Sequence, residues 1–250
     1  MDVERLRMAT ERTGVALRDV AVELGVTEDE LHAAIGFLAR VADAGQLGLL
    51  SDVLGLSVTV DDITHSGETL GTVSAVEGPF YRPGAPWRNA IARDDEPGDV
   101  CVVSGRVTDA VSGAPLAGVL LDVWQAGPSG LYEHEDPDQP EWNLRGRLRS
   151  DDQGCYEFRT VVPPPYEIPK GPVNELLATI GRNRVRPAHF HVKLSLDGYR
   201  PRTTMLYFEG GAHLDDDTIS GVKPELVGRL ERHDGVLTYA YDFGLVPALR

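Results

Sequence analysis

Hydrophobic positions change their period once along the chain. Up to about residue 62 they recur at helical spacing: Leu31, Ile35, Leu38 and Val41 or Ala42 fall on one helix face, and Thr27 followed by Glu30 forms a capping-box signature just before them. A second apolar cluster follows in LGLLSDVLGLSV. From Val100 onward the pattern becomes short alternating runs separated by turn residues, VCVVSGRV, GVLLDVW, CYEFRTV, HFHVKLSL, TTMLYF and VLTYAYDF. DDQG at 151–154 and TDAVSGAPLAG at 108–118 supply the Asp and Gly that tight turns need. The pattern predicts a mostly β chain: an antiparallel β-sandwich over 100–250, preceded by a helical region at 1–65. Residues 66–99, rich in Gly and Pro (EGPFYRPGAP, DDEPGD), are expected to be an ordered but irregular connection.

Charge excludes some partners. Asp and Glu number 39 against 24 Lys and Arg, a formal charge of -15 that repels nucleic acid and anionic lipid surfaces. This decides the reading of LRDVAVELGVTEDELHAAI, which mimics a helix-turn-helix around Gly25. Its second helix would bring Glu28, Asp29 and Glu30 to the phosphates, so helix packing or dimerisation is expected instead. The chain opens on polar MDVERLRMATERTG with no apolar signal core, and its cysteines, Cys101 and Cys155, lie far apart, a cytoplasmic profile. The best apolar stretch, AAIGFLARVADAG, is interrupted by Arg40 and Asp43 and falls short of the ~20 residues that span a bilayer, so no membrane insertion is expected.

The strongest local signal for chemistry is RPAHFHVKL. His189 and His191 are two apart in a run that otherwise alternates Phe190, Val192 and Leu194, and side chains at i and i+2 of a strand share a face. Two imidazoles side by side on a rigid element suit a metal ion. A His-x-His on the solvated face of a strand is, by itself, more often ordinary polar alternation than a metal site. Neither the Cys, His or carboxylate that completes a zinc site nor the acid of a ferrous triad stands at a familiar spacing. What stands nearby is Tyr166, in the Pro-rigid loop VPPPYEIP, and Tyr132, in GPSGLYEHEDP.

Together with EGPFYRPGAP, DVWQAGPSGLY, NLRGRLRSDDQGCYEFRTVVPPPY and GPVNELLATIGR, these residues resemble the intradiol ring-cleavage dioxygenases, the catechol 1,2-dioxygenase and hydroxyquinol 1,2-dioxygenase group. The resemblance extends to the helical N-terminus. It implies one Fe(III) per subunit, held by Tyr132, Tyr166, His189 and His191, with phenolates favouring the ferric state. It further implies that Tyr166 leaves the metal when a catechol-type diol chelates and takes one of its protons, and that Arg186 offers positive charge near the carbon attacked by O2. The products it implies are cis,cis-muconates. Val76 and Pro79 are the implied pocket residues. Met205 departs from the family, which commonly has glutamine there, and favours a bulkier or more apolar ring. The helical region is expected to form a homodimer with room for lipid between the helices. A hydroxyquinol or substituted catechol is the alternative substrate, and a non-catalytic prealbumin-like β-sandwich module the distant alternative.

Overall fold

Local signals start and stop the first helices. In the computed structural model, which describes residues 2–248, the Asp2 side chain accepts from Glu4 N–H at the head of α1 (Val3–Leu24), and Gly25 closes that helix at φ 64°. The capping box then opens α2 (Glu28–Asp43): Thr27 Oγ1 accepts from Glu30 N–H, and the Glu30 carboxylate accepts from Thr27 N–H. No α1 side chain is buried, and α2 buries Val41. α3 (Leu47–Val53) and α4 (Leu56–His65) follow.

Two compact units divide the chain, Met1–Leu47 and Gly48–Arg250. The boundary lies at the start of α3, well before the hydrophobic period changes. Helix α4 is therefore helical by pattern but joins the β unit, held there by polar anchors. Lys223 Nζ donates to Asp61 Oδ2 at 3.0 Å and pairs with Asp62 at 2.7 Å, while Ser74 Oγ donates to Asp61 Oδ2 at 2.8 Å.

The β unit contains β1 (Val100–Asp109), β2 (Leu120–Trp124), β3 (Arg145–Arg149), β4 (Cys155–Val161), β5 (Tyr166–Glu167), helix α5 (Pro172–Thr179), β6 (Val185–Arg186), β7 (His189–Ser195), β8 (Arg202–Phe208), β9 (Val227–Gly228), β10 (Leu230–His233), β11 (Val236–Ala240) and β12 (Phe243–Leu245). One sheet runs β10-β11-β1-β12 with β4 also on β1, the other β3-β2-β7-β8-β9, and β5 pairs with β6 in a ribbon of its own. Both larger sheets are mixed, because β1 pairs parallel with β11 and β12, and β8 with β9. Alternation along a strand is the same for either orientation, so the pattern predicted the strands but not these parallel returns.

The final run VLTYAYDF divides in two where it passes Gly105. A Cβ there would stand 1.9 Å from Tyr241 O, and only glycine admits that approach. Between the sheets, Val103, Val107, Leu121, Val123, Phe158, Phe190, Val192, Leu194 and Leu206 form one continuous core. Phe190, Val192 and Leu194 thus take the inner face of β7. The opposite face carries His189 and His191, which are also buried.

Candidate active site

Strand register assembles one half of the site. Along the outer face of β2-β7-β8, Trp124 stands opposite His191, His191 opposite Met205, and His189 opposite Tyr207. The Trp124 indole stacks on the His191 ring, with centroids 4.6 Å apart and planes within 7°. The Nε2 atoms of His189 and His191 face each other at 3.0 Å.

The ribbon supplies the other half. Tyr166 on β5 is paired with Arg186 on β6, and β6 leads through Pro187 and Ala188 into His189, so three candidate residues lie within one short stretch of hydrogen-bonded backbone. Tyr132 comes from the loop after β2. Its ring stacks on Phe80 at 4.3 Å and meets Tyr166 edge-on at 5.7 Å. Gly130, at φ 80°, lets that loop close on Tyr166, whose Cβ lies 3.3 Å from the position a side chain would take. Tyr132, Tyr166, His189 and His191 are all buried together.

Burial sets their protonation. Desolvation first, and the Arg186 charge second, push the His189 pKa down to about 3; desolvation and His189 push His191 well below its ordinary range. Both rings are neutral. His189 Nδ1 donates to Pro187 O at 2.7 Å, which fixes its proton there and leaves a lone pair on Nε2. No tautomer of His191 satisfies both of its nitrogens. With its proton on Nε2, Nδ1 is an acceptor without a donor; with its proton on Nδ1, that N–H has no acceptor and two lone pairs meet at 3.0 Å. The Tyr132 hydroxyl has no hydrogen bond of sound geometry, although the Tyr166 hydroxyl is close enough to act on it electrostatically. Desolvation raises the pKa of both phenols, Tyr132 well above its ordinary value, while Arg186 pulls both down. The His189 Nε2 lone pair, a neutral His191 ring whose Nε2 faces it, and two buried phenols whose ionisation burial opposes and nearby positive charge favours can serve as a donor set for a hard, highly charged metal ion. Among the described residues no cluster of three or more His, Cys, Asp or Glu offers another metal site.

Beside these groups lies a cavity of about 20 Å³, lined by Leu49, Asp52, Gly78, Pro79, Phe80, Tyr166, Ile168, Pro169, Arg186, His191 and Ile219. An adjoining cleft of about 530 Å³ shares Asp52, Gly78 and Pro79 with it. Pro79 lines both. Val76 lines only the cleft, and Met205 does not line the cavity but stands behind Arg186, with its Sδ 3.6 Å from Nη2. Val76 thus stands at the cleft beside the cavity, while β8 register sets Met205 opposite His191 and its sulfur faces Arg186 rather than the opening. Sequence reading missed Leu49, Asp52, Ile168 and Ile219. Asp52 alone carries a signal, as the one charged residue of the short helix Leu47–Val53. Burial raises the pKa of its carboxyl.

Residues 76–247 match the dioxygenase family, and residues 4–71 match the family described as the catechol dioxygenase N terminus. The chain belongs to the intradiol ring-cleaving dioxygenases. It is 40% identical over 219 residues to the chlorocatechol 1,2-dioxygenase of Rhodococcus opacus, covering 84% of each chain. The crystal structure of 3-chlorocatechol 1,2-dioxygenase from Rhodococcus opacus 1CP superposes with a TM-score of 0.93 at 35% identity, covering 99% of this chain and 100% of that one. Hydroxyquinol 1,2-dioxygenase from Pseudomonas putida DLL-E4 gives 0.91 at 35% identity, covering 99% and 94%. As an intradiol dioxygenase the protein is an oxidoreductase that opens an aromatic diol between its hydroxylated carbons with O2. The family uses non-haem iron.

Proposed function

We propose that this dioxygenase acts on catechol-type diols through one Fe(III) per subunit held by Tyr132, Tyr166, His189 and His191, releasing a cis,cis-muconate. The observation that carries this reading is the convergence of two neutral imidazoles, their Nε2 atoms 3.0 Å apart, with two buried phenols, one of which, Tyr132, has no partner for its hydroxyl; a cation bound among the four gives that oxygen one. When bound, ferric iron supplies a Lewis acid that withdraws electron density from the chelated diol and exposes a ring carbon to O2.

The chain's own residues do the rest. His189 and His191, kept neutral by burial, give donors without charge. Tyr132, fixed against Phe80, is the permanent phenolate. Tyr166 forms a wall of the cavity on a ribbon of only two residues per strand, and its phenolate oxygen accepts a proton from the incoming diol as the side chain withdraws. The cavity, about 20 Å³ and room for one water, adjoins a cleft of about 530 Å³ through Asp52, Gly78 and Pro79, so withdrawal of Tyr166 from its wall would widen the space for a ring. Arg186, buried and adjacent to Tyr166 and His189, places fixed positive charge where negative charge develops on the substrate.

A diol bearing a further hydroxyl, such as hydroxyquinol, is a second reading favoured by Asp52, a half-buried acceptor that shares the cavity wall with Leu49 and Ile219. The same carboxylate disfavours carboxylated rings. A homodimer through the N-terminal helices, with room for lipid, and a cytoplasmic location complete the proposal; both cysteines are free thiols, as a reducing compartment requires. Among the described residues no single helix is long and apolar enough to cross a membrane.

The test is direct. Purified protein should be red-brown from phenolate-to-iron charge transfer, and should convert catechol, 4-methylcatechol, 4-chlorocatechol or hydroxyquinol to ring-opened acids cleaved between the hydroxyls. A colourless protein after iron reconstitution, or a yellow semialdehyde product, overturns the reading.

A further inference from the structure

A guanidinium has two edges, and its use in a site depends on which edge faces the substrate. In Arg186 the edge formed by Nε and Nη2 is fully engaged. Nε donates to Asp217 Oδ1 and Nη2 to Asp217 Oδ2, both at 3.2 Å, and Nη2 also reaches the Tyr207 hydroxyl at 3.1 Å and Met205 Sδ at 3.6 Å. Nη1 is turned the other way, with its nearest recorded partner His189 Nε2 at 3.4 Å. Of the three groups that grip the inner edge, only Asp217 is an anion. The Met205 thioether is a weak acceptor, and the Tyr207 hydroxyl donates its own proton to that sulfur at 3.1 Å. Asp217 and Arg186 are both almost wholly buried, so their attraction is little screened by solvent.

Asp217 also organises the loop in which it sits. Its Oδ2 accepts from Gly221 N–H at 2.9 Å, and its carbonyl accepts from Ser220 N–H at 2.8 Å, closing a turn in which Ser220 takes φ 56°. That turn carries Ile219 into the cavity wall. Neighbouring bonds tie the loop to the strand approach: Arg182 Nη2 donates to Thr218 O at 2.9 Å, and Thr218 Oγ1 donates to Asn183 O at 2.8 Å. One carboxylate is thus bound at once to the site's cation and to the backbone that presents an apolar wall residue.

We propose that Asp217 is a positioning residue of this site: it selects the Nη1 edge of Arg186 for the substrate, and through the turn it closes it holds Ile219 in the pocket wall. The proposal rests on the function proposed above, and acts through Arg186 rather than on the substrate.

A mutant cycle of Asp217→Asn, Arg186→Gln and the double variant in the iron-loaded enzyme tests it, read by iron content, the visible band, kcat and KM for catechol, and the ratio of kcat/KM for 4-methylcatechol to that for catechol. The wild-type product and colour decide the underlying function before any variant is compared, so the two failures are distinguishable. Asp217→Asn is expected to keep iron and the visible band, since the four proposed ligands are untouched, while kcat falls by about 10²-fold from a misplaced guanidinium. In the Arg186→Gln background the same change is expected to cost less than about threefold, because residues acting as one unit are not additive. The 4-methylcatechol ratio should shift in Asp217→Asn, reporting Ile219. A full loss in both backgrounds, or a kcat for Asp217→Asn close to wild type, overturns the proposal. Should Asp217→Asn fail to fold, Asp217→Glu keeps the charge but lengthens the arm; a folded Asp217→Glu with wild-type kcat and substrate ratio overturns it equally.

Discussion

The units Met1–Leu47 and Gly48–Arg250 both carry periodic rows of apolar side chains, with opposite outcomes. On β7, Phe190, Val192 and Leu194 meet a second sheet and are completely buried. On α2, Leu31, Ile35 and Leu38 also share a face, yet remain 54%, 57% and 48% exposed, and α1 adds Leu17, Val20 and Leu24 without burying any side chain. Periodicity specifies an element and the face that seeks cover. Whether the same chain provides that cover depends on a second layer, which the β unit has and the helical unit lacks. The site lies in the unit covered on both faces, and that is what desolvates its imidazoles and phenols enough to favour a cation.

The sharpest test of this contrast removes a donor from the buried side. His189→Ala and Tyr132→Phe should each lower iron affinity by more than ~10²-fold, because ligand loss exceeds the usual cost of losing an outer partner. Metal analysis and the visible band check this, and wild-type iron and colour in either variant would sink the ligand assignment. Tyr166→Phe should keep part of its iron but lower kcat by ~10²–10⁴-fold, the usual range for a lost proton acceptor. Stopped-flow turnover at the wild-type rate would rule out Tyr166 as the departing base. The N-terminal unit should offer no comparable site for loss of catalysis by a single substitution.

What is legible in the sequence depends on the range of the interaction. The Thr27–Glu30 capping box, the strand runs and the His189/His191 face are all set by residues within a turn or two of one another, and each is legible. The ribbon that pairs Tyr166 with Arg186 is two residues long on each side, too short to leave a period. Asp217 sits in an irregular acidic stretch, HLDDDT, where only the fold singles out one carboxylate from its neighbours. The parallel returns of β11 and β12 along β1 leave no trace in alternation. Tyr132 and Tyr166 were found by resemblance, since tyrosines in proline-rich loops carry no spacing rule of their own.

Stability should separate the units next. Phe190→Ala, which removes a fully buried ring from the inter-sheet core, should destabilise the β unit by ~3–5 kcal/mol in chemical unfolding. An effect below ~1 kcal/mol would mean the core repacks around the gap. A smaller, pH-dependent effect is expected at Glu133. Burial alone would raise its pKa, but hydrogen bonds and charge from Arg145 and Arg82 outweigh burial and hold the carboxyl below its ordinary range. A carboxyl depressed in the folded state contributes stability that is present above its unfolded value of about 4.3 and lost as pH falls through the folded value. The unfolding midpoint should therefore fall as the pH drops below that range, and Glu133→Gln should flatten this acid limb while lowering stability at neutral pH. An unchanged acid limb in the variant would place the effect elsewhere.

The smallest effect on folding should come from the helical unit. Replacing Leu31, Ile35 and Leu38 together by serine removes apolar surface that is already half exposed, so each change should cost the chain within about 0.5 kcal/mol, apart from the small propensity loss of serine in a helix. If those side chains are covered by a second copy, the same triple variant should shift the mass in light scattering from dimer to monomer while iron content and kcat stay near wild type. Exposed apolar stripes of this length are what symmetric dimers bury, and a two-fold contact places each helix face against its own copy. A wild-type monomer at working concentration would leave the exposed stripe without its proposed partner. A triple variant that stays dimeric would move the interface to other exposed residues, such as Leu17, Val20 and Leu24 of α1. Loss of iron in the triple variant would break the contrast itself, since it would tie the buried site to the unit that buries least.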